Sequence, residues 1–311
     1  MDKKAIRKSI GRLFGWLGLS FISFIVRLIP YCWIYAFAKA IAFLGYNLAV
    51  KQKKIAIESL SIAFGNEKNR QELEQIARDC FTFMAKSAIE LISLMENQEL
   101  LRRRVEILGK NNIDEALAKG KGVVLVSAHF GNFPLLLARL SLEGYNVNGI
   151  MRPMRDNRVE KIFLKKREKF KVRTIYSQPR KECVDNTIRA LRGNEMVFIP
   201  VDQNFGTAGV FVDFFGRKAA TATGPVIFAQ RTKAVLLPCF IVRQKDDTHK
   251  IFCEASFEIE EKGTNQETIA ANIQKLTNII EIYIRRYPAE WGWIHRRWKS
   301  RPADNSNGGG I

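Results

Sequence analysis

The chain has 311 residues, which is enough for one large domain or two of modest size with a substantial core. Its hydrophobic fraction of 47% lies within the globular range and excludes both a disordered chain and a membrane protein with many spans. With 50 Lys and Arg against 31 Asp and Glu, the net charge is +19, which favours a polyanionic partner such as an anionic membrane leaflet or nucleic acid.

The N-terminal segment, residues 1–54, is apolar and has basic residues at both ends. Residues 13–26 are uncharged, Arg27 interrupts the run, and a second apolar run reaches Val50. No uncharged stretch has the ~18–20 residues of a simple spanning helix, and no convincing signal-peptidase site follows the first run. The aromatic residues favour helices lying in a membrane interface. A tilted span over about residues 10–30 and an apolar hairpin packed on the protein's own core are the alternatives.

The remainder, residues 55–302, is predicted to form one α/β domain. Residues 69–95 have apolar side chains at steps of three and four, as in a helix. Strand and helix patterns then alternate, which predicts a largely parallel sheet with helices on both faces. The predicted strands are 105–108, 122–128, 147–151, 172–176, 196–201 and 235–243, and the later helices are 113–119, 134–143, 157–170, 183–191, 224–231 and 267–287. The polar, glycine-rich residues 303–311 are predicted to be a disordered tail.

His129 is the candidate catalytic residue that the sequence pattern indicates. It follows the apolar strand 122–128 directly, at the position where open α/β sheets bind ligands. A neutral imidazole there can accept a proton from an alcohol and later return it. The alternative is a hydrogen-bonded structural histidine. Of the other two histidines, His295 is interpreted as structural, and His249 is placed in a polar turn without a function.

Several classes of protein are excluded or disfavoured by missing motifs. The five cysteines form neither a C-x-x-C pair nor a cluster with histidine, so we expect reduced, mostly buried thiols and no metal. No helix-turn-helix, RNP, zinc-finger or GXXG motif accompanies the positive charge, so no nucleic-acid partner is expected. The chain also lacks the G-x-S-x-G elbow of serine hydrolases and the glycine-rich motifs of nucleotide-binding folds.

Four stretches, taken in order, resemble the bacterial lipid A biosynthesis (late) acyltransferase family, within the wider glycerolipid acyltransferase superfamily. They are SAHFGNF at 127–133, MRPMRDN at 151–157, PVDQNFG at 200–206 with TATGP at 221–225, and PAEWGWIHRRW at 288–298. The resemblance covers nearly the whole chain. It implies transfer of a fatty acyl group from an acyl-carrier-protein or coenzyme A thioester to a hydroxyl of a lipid acceptor, such as a lipid A precursor. It also implies anchoring by the N-terminal segment at the cytoplasmic face of a bacterial inner membrane.

The resemblance gives His129 the role of general base, with one departure from the family pattern. An H-x-x-x-x-D/E motif would place the carboxylate that orients the histidine at position 134, where this chain has Pro134. Another acid, with Asp202 and Asp213 as the candidates, reaches His129 instead, or a backbone carbonyl orients the ring. The third explanation is a catalytically impaired relative that only binds lipid. We take His129 and Asp202 as the predicted catalytic residues.

The resemblance also implies substrate-binding residues near the predicted sheet edge. Gln203 and Asn204 follow a strand end, as His129 does, and together with Asn132 are expected to position the acceptor or the thioester. A polar loop that caps the next segment is the alternative. Thr223 and Gly224 begin a helix whose free N–H groups can hold a phosphate or an oxyanion. Plain helix capping explains the same two residues equally well.

Basic residues supply the remaining predicted contacts. Arg152 and Asn157 match an arginine–asparagine block of the family and are expected to bind an acceptor phosphate or the acidic carrier. Arg296 and Arg297, among three tryptophans, are expected to form a basic–aromatic patch for lipid headgroups. The aromatic residues 210–215 lie either in a membrane-facing loop or in a buried strand. No metal or tightly bound cofactor is expected, because the acyl thioester is a co-substrate.

Overall fold

The computed structural model describes residues 3–302 and has the expected α/β architecture. The helices are α1 (Lys3–Leu28), α2 (Ile34–Leu48), α3 (Val50–Phe64), α4 (Arg70–Ser93), α5 (Gln98–Arg104), α6 (Lys110–Ala118), α7 (Phe133–Leu142), α8 (Asn157–Lys169), α9 (Arg180–Arg192), α10 (Gly224–Thr232) and α11 (Asn265–Arg286). The strands are β1 (Val105–Leu108), β2 (Val123–Ser127), β3 (Val147–Met151), β4 (Arg173–Tyr176), β5 (Met196–Pro200), β6 (Val210–Phe214), β7 (Arg217–Thr221), β8 (Val235–Arg243) and β9 (His249–Cys253). The predicted tail, residues 303–311, lies outside the described residues.

Seven strands form one sheet in the order β1-β9-β8-β2-β5-β3-β4. All neighbouring strands are parallel except β8 and β9, which are antiparallel. Alternate residues of the central strand β2 pack into two different cores, Val124 and Val126 into one and Val123 and Leu125 into the other. Burial on both faces explains the uninterrupted apolar run of this strand. The predicted parallel sheet covered by helices is therefore confirmed.

Two pairings were not predicted from the sequence. The prediction that His249 lies in a polar turn is wrong. His249 is the first residue of β9 and is buried. The strand has five residues and follows the polar turn after Arg243, so local composition concealed it. Strands β6 and β7 form a separate antiparallel hairpin, so residues 210–215 are mostly strand rather than a loop.

The N-terminal helices α1 and α2 differ in how many of their side chains are buried by the rest of the protein. Four residues of α2, at steps of four, are buried against the rest of the protein, whereas Val26 is the one fully buried residue among 10–28 of α1. The segment Ile10–Leu28 is long and apolar enough to cross a membrane, and α2 and α3 form a bent pair of similar character with an angle of 88°. Large apolar side chains are exposed along these helices, including Phe14, Phe21, Phe24, Leu28, Trp33 and Phe43.

Candidate active site

His129 and Asp202 follow two neighbouring parallel strands, β2 and β5. The register of the sheet pairs Ser127 with Pro200. Two residues further along each chain, the His129 Nδ1 atom lies 2.9 Å from the Asp202 Oδ1 atom. The sheet therefore brings together the two residues expected to be catalytic. Asp213, the other candidate acid, lies in the β6–β7 hairpin and pairs with a surface lysine.

Asp202 is held in place on both of its carboxylate oxygens. Its Oδ2 atom accepts a hydrogen bond of 2.7 Å from the Trp291 indole N–H, and only 3% of the residue is exposed. Burial opposes ionisation, but the charge of His129 and the hydrogen bonds from His129 and Trp291 outweigh it and lower the pKa of Asp202 to about 2. An ionised carboxylate is a hydrogen-bond acceptor only, so the proton of neutral His129 lies on Nδ1 and leaves the Nε2 lone pair free.

The imidazole of His129 is reachable and its basicity is increased. Its side chain is 35% exposed, and its ring contacts Phe133 edge to face with the ring centroids 5.4 Å apart. Burial alone would lower the pKa of His129, but the charge of Asp202 and the hydrogen bond to it raise the pKa above its ordinary value. The imidazole is thus held in one orientation and has a free nitrogen lone pair.

The loop after His129 depends on a glycine and ends in a proline. Gly131 has a φ of +60°, and a Cβ atom there would lie 1.9 Å from the Ile241 carbonyl oxygen, so no other residue fits. Its N–H donates to the Glu290 carbonyl oxygen at 2.9 Å. Pro134 lies in the first turn of α7, where the missing N–H has no cost. The position expected to carry a carboxylate is thus part of a helix start.

An apolar cavity of about 440 Å³, the main cavity, opens beside His129. It lies between α4, α7, α8 and residues 290–292. Polar side chains at its wall include Asn132 and Glu290, but most of its lining is apolar. The apolar residues include Met84, Ala88, Leu91, Met95, Leu137 and Val172.

The main cavity runs along α4, with the His129–Asp202 pair at one end. At that end Cys80 of α4 donates to the Trp291 carbonyl oxygen, so Trp291 is next to the start of the cavity. At the other end Lys166 of α8 donates to the Glu96 carboxylate at 2.7 Å. Met84 and Met95, two of the residues that line the cavity, are separated by about 16 Å along the axis of α4 and its continuation.

A second carboxylate, Glu90 of α4, organises the interior beside the loop after His129. It is fully buried and accepts hydrogen bonds from Tyr35, Asn132 and Arg243 at 2.6 to 2.9 Å. The His249 Nε2 atom lies 3.1 Å from both of its oxygens. Asn132, an expected substrate-binding residue, is thus tied by its amide to Glu90. The sequence indicates this buried Glu90 cluster only weakly, by one acidic residue next to the apolar Ile89.

Glu290 is a further carboxyl group that sequence reasoning missed. It lines the main cavity, and both of its oxygens accept from the Arg243 backbone N–H at 3.1 Å. Burial raises the pKa of Glu290 to about 8, and the charge of Glu90 adds to the increase. At neutral pH the group is mostly uncharged, which suits an apolar cavity.

The prediction of a basic–aromatic surface patch is wrong for three of its residues, because they are buried. Arg297 is fully buried, and its guanidinium donates to the Gln203 carbonyl oxygen and the Thr221 hydroxyl. Trp291 and Trp293 are also buried, with both indole N–H groups hydrogen-bonded inside the protein. The buried arginine instead fixes the loop after Asp202 to strand β7.

In the described part of the chain, none of the other expected binding residues hydrogen-bonds to His129 or Asp202. Arg152, Asn157 and Arg296 are exposed, and the Asn204 backbone N–H donates to the His295 ring at 3.3 Å. Thr223 and Gly224 begin α10, and the Thr223 side chain makes no capping hydrogen bond. Binding roles for these residues stay predictions. Within residues 3–302, no group of His, Cys, Asp and Glu is arranged to hold a metal, and all five cysteines are free, with four of them buried.

Comparison with known proteins decides the family. Residues 2–300 match the model of the bacterial lipid A biosynthesis acyltransferase family. The chain belongs to this family. The match covers nearly the whole chain. Membership of the family makes the protein an acyltransferase, as the four sequence stretches indicated.

Relatives within the family are similar at low identity. The chain is 26% identical to the lipid A biosynthesis lauroyltransferase of Escherichia coli (strain K12) over 291 residues, which are 92% of each chain. It is 25% identical to the palmitoleoyltransferase of the same organism, over 94% of this chain and 93% of the relative. A phosphatidylinositol mannoside acyltransferase of Mycobacterium tuberculosis (strain CDC 1551 / Oshkosh) is 25% identical over 66% of this chain and 63% of its own.

Proposed function

We propose that this chain is a membrane-bound O-acyltransferase that transfers a fatty acyl group from a thioester to a hydroxyl of a glycolipid acceptor, such as a lipid A precursor. The observation that carries the proposal is the oriented His129–Asp202 pair at the mouth of an apolar cavity. The acyl donor is acyl-carrier protein or coenzyme A, and the relatives named as lipid A acyltransferases support the acceptor class.

His129 acts as the general base. Its Nε2 atom takes the proton of the acceptor hydroxyl as the oxygen attacks the thioester carbonyl carbon. Asp202 holds the tautomer through Nδ1 and stabilises the imidazolium that forms. When the tetrahedral intermediate collapses, the C–S bond breaks, the thiolate leaves, and the imidazolium returns the proton to sulfur. The products are an ester and a free thiol.

The acyl chain of the donor lies in the main cavity. The separation of about 16 Å between Met84 and Met95 along its wall is close to the length of an extended lauroyl or myristoyl chain. An apolar lining removes the methylene groups from water and holds the thioester carbon beside the base. Glu290 can line such a cavity because its carboxyl group is mostly uncharged at neutral pH.

The N-terminal helices anchor the enzyme at the cytoplasmic face of the inner membrane. Exposed apolar side chains of α1 and α2 enter the bilayer, and the net charge of +19 favours an anionic leaflet and an acidic carrier protein. Exposed Arg152, Asn157 and Arg296 contact the acceptor headgroup or the carrier. Gln203, Asn204, Thr223 and Gly224 position the acceptor at the same edge of the sheet.

The test is acyl transfer in membranes that contain the wild-type protein or His129→Ala. Labelled acyl-carrier protein and labelled acyl-coenzyme A are each supplied with native lipids, and the lipid extract is separated. We expect the wild type to form a labelled lipid that His129→Ala does not form. The identity of that lipid gives the acceptor.

Two other outcomes contradict parts of the proposal. Equal labelling in both membranes would show that His129 is not the base. No labelling with either donor, by folded protein that retains lipid binding, would favour the lipid-binding relative without catalysis.

The pH dependence of kcat/KM reports the state of His129. A protonated imidazole cannot accept the hydroxyl proton, so the rate should rise with pH through the pKa of His129, which lies above its ordinary value of about 6.5. A rate profile between pH 5 and about 9 locates this acidic limb. Glu290→Gln is the control, because a limb that disappears in that variant would belong to Glu290 instead.

A further inference from the structure

A second apolar cavity of about 150 Å³ lies beside the main cavity, along the same stretch of α4. It is bounded by α1, α2, α4 and α8, and Leu19 and Ile22 of the candidate membrane helix α1 form part of its wall. The lining sets of the two cavities have four residues in common: Ala88, Leu91, Phe163 and Lys166. These four side chains separate the main cavity from the second one.

Phe163 is the member of this wall with the fewest restraints. Ala88 is small, Leu91 packs against the core, and the ammonium group of Lys166 is bound to Glu96 at 2.7 Å. Phe163 has no polar group to hold it, it is half-buried, and no residue of α8 is fully buried. Its ring therefore stands between two apolar spaces on a helix that has no fully buried residue.

On the basis of the proposed acyl-transfer function, we infer that Phe163 sets the longest acyl chain that the enzyme accepts. Its ring closes the main cavity against the second cavity, which lies beside it along α4. A chain of lauroyl or myristoyl size fits in the main cavity, and a longer chain must displace this ring to reach the second cavity. The ligand of the second cavity is the terminal part of such a longer chain.

The experiment measures fatty-acid binding by the full-length His129→Ala protein in detergent, so it does not depend on turnover. Lauric, myristic, palmitic and stearic acids each displace a dansyl-labelled fatty acid. In this background the affinity should stop rising beyond myristic acid. Phe163→Ala should raise the ratio of palmitic to lauric affinity at least about tenfold, because the added methylenes then leave water in the second cavity.

Three further variants test whether the second cavity is the cause. Phe163→Trp should shorten the preferred chain. Ala85→Leu fills the second cavity from α4 without lining the main cavity, so alone it should leave the length profile unchanged. Combined with Phe163→Ala, it should restore the original limit. Thermal unfolding checks that each protein is folded.

The outcomes separate this inference from the proposed function. An unchanged length limit in Phe163→Ala and Phe163→Trp, with fatty acids still bound, would overturn the role of Phe163 and leave acyl transfer intact. Failure of the parent protein to bind any of the four acids would instead contradict the proposed use of the main cavity, and with it the inference.

Discussion

Replacing Asp202 by asparagine should lower kcat by about 10³- to 10⁴-fold while the protein stays folded. The indole N–H of Trp291 only donates, so the amide oxygen of the new side chain must face Trp291 and its NH₂ group must face His129. Nδ1 of His129 then becomes the acceptor, and the ring proton moves to Nε2. The nitrogen that should take the hydroxyl proton is thereby blocked.

The measurement is initial-rate kinetics on wild type, Asp202→Asn and a matched control. Asp213→Asn makes the same chemical change at an exposed site in the β6–β7 hairpin and should leave kcat within about twofold of wild type. Activity of Asp202→Asn within about tenfold of wild type would show that His129 needs no carboxylate. Loss in both variants would point to net charge rather than to the His129–Asp202 pair.

The sheet and the site edge could be predicted because they depend on local patterns. The runs of β2 and β5 are apolar without interruption, which indicates strands buried on both faces of a parallel sheet. Two residues after each strand come His129 and Asp202, and parallel neighbours end at the same edge. Asp213 stayed a second candidate beside the predicted Asp202, because excluding it depends on where the β6–β7 hairpin folds.

The tryptophan-rich C-terminal stretch shows why local composition was misleading. Basic and aromatic residues in succession look the same whether they face a membrane or an interior. The two cases differ in whether each hydrogen-bond donor has an acceptor in the protein interior. The Trp291 indole N–H donates to Asp202, which is 89 residues away in the sequence. Arg297 likewise binds the Gln203 carbonyl oxygen at a separation of 94 residues. Such partners become visible only once the chain has folded.

Replacing Glu90 by alanine should lower the free energy of unfolding by about 3–5 kcal/mol. The variant leaves the buried Arg243 guanidinium without its main counter-ion and removes the acceptor of Asn132 and Tyr35. Denaturant unfolding in detergent measures the loss. Glu74→Ala is the control on the same helix, because its ion pair with Arg70 is at the surface and should contribute about 1 kcal/mol or less.

The same carboxylate should make stability depend on pH in a defined direction. Burial opposes its ionisation, but hydrogen bonds and charges from His249 and Arg243 outweigh that and lower the pKa of Glu90 to about 2. A depressed pKa stabilises the folded state above the ordinary value of about 4.3, and the stabilisation is lost as the pH falls toward 2. The stability difference between wild type and Glu90→Ala should therefore shrink over that interval. A constant difference from pH 6 to about 3 would mean that Glu90 acts through packing rather than charge.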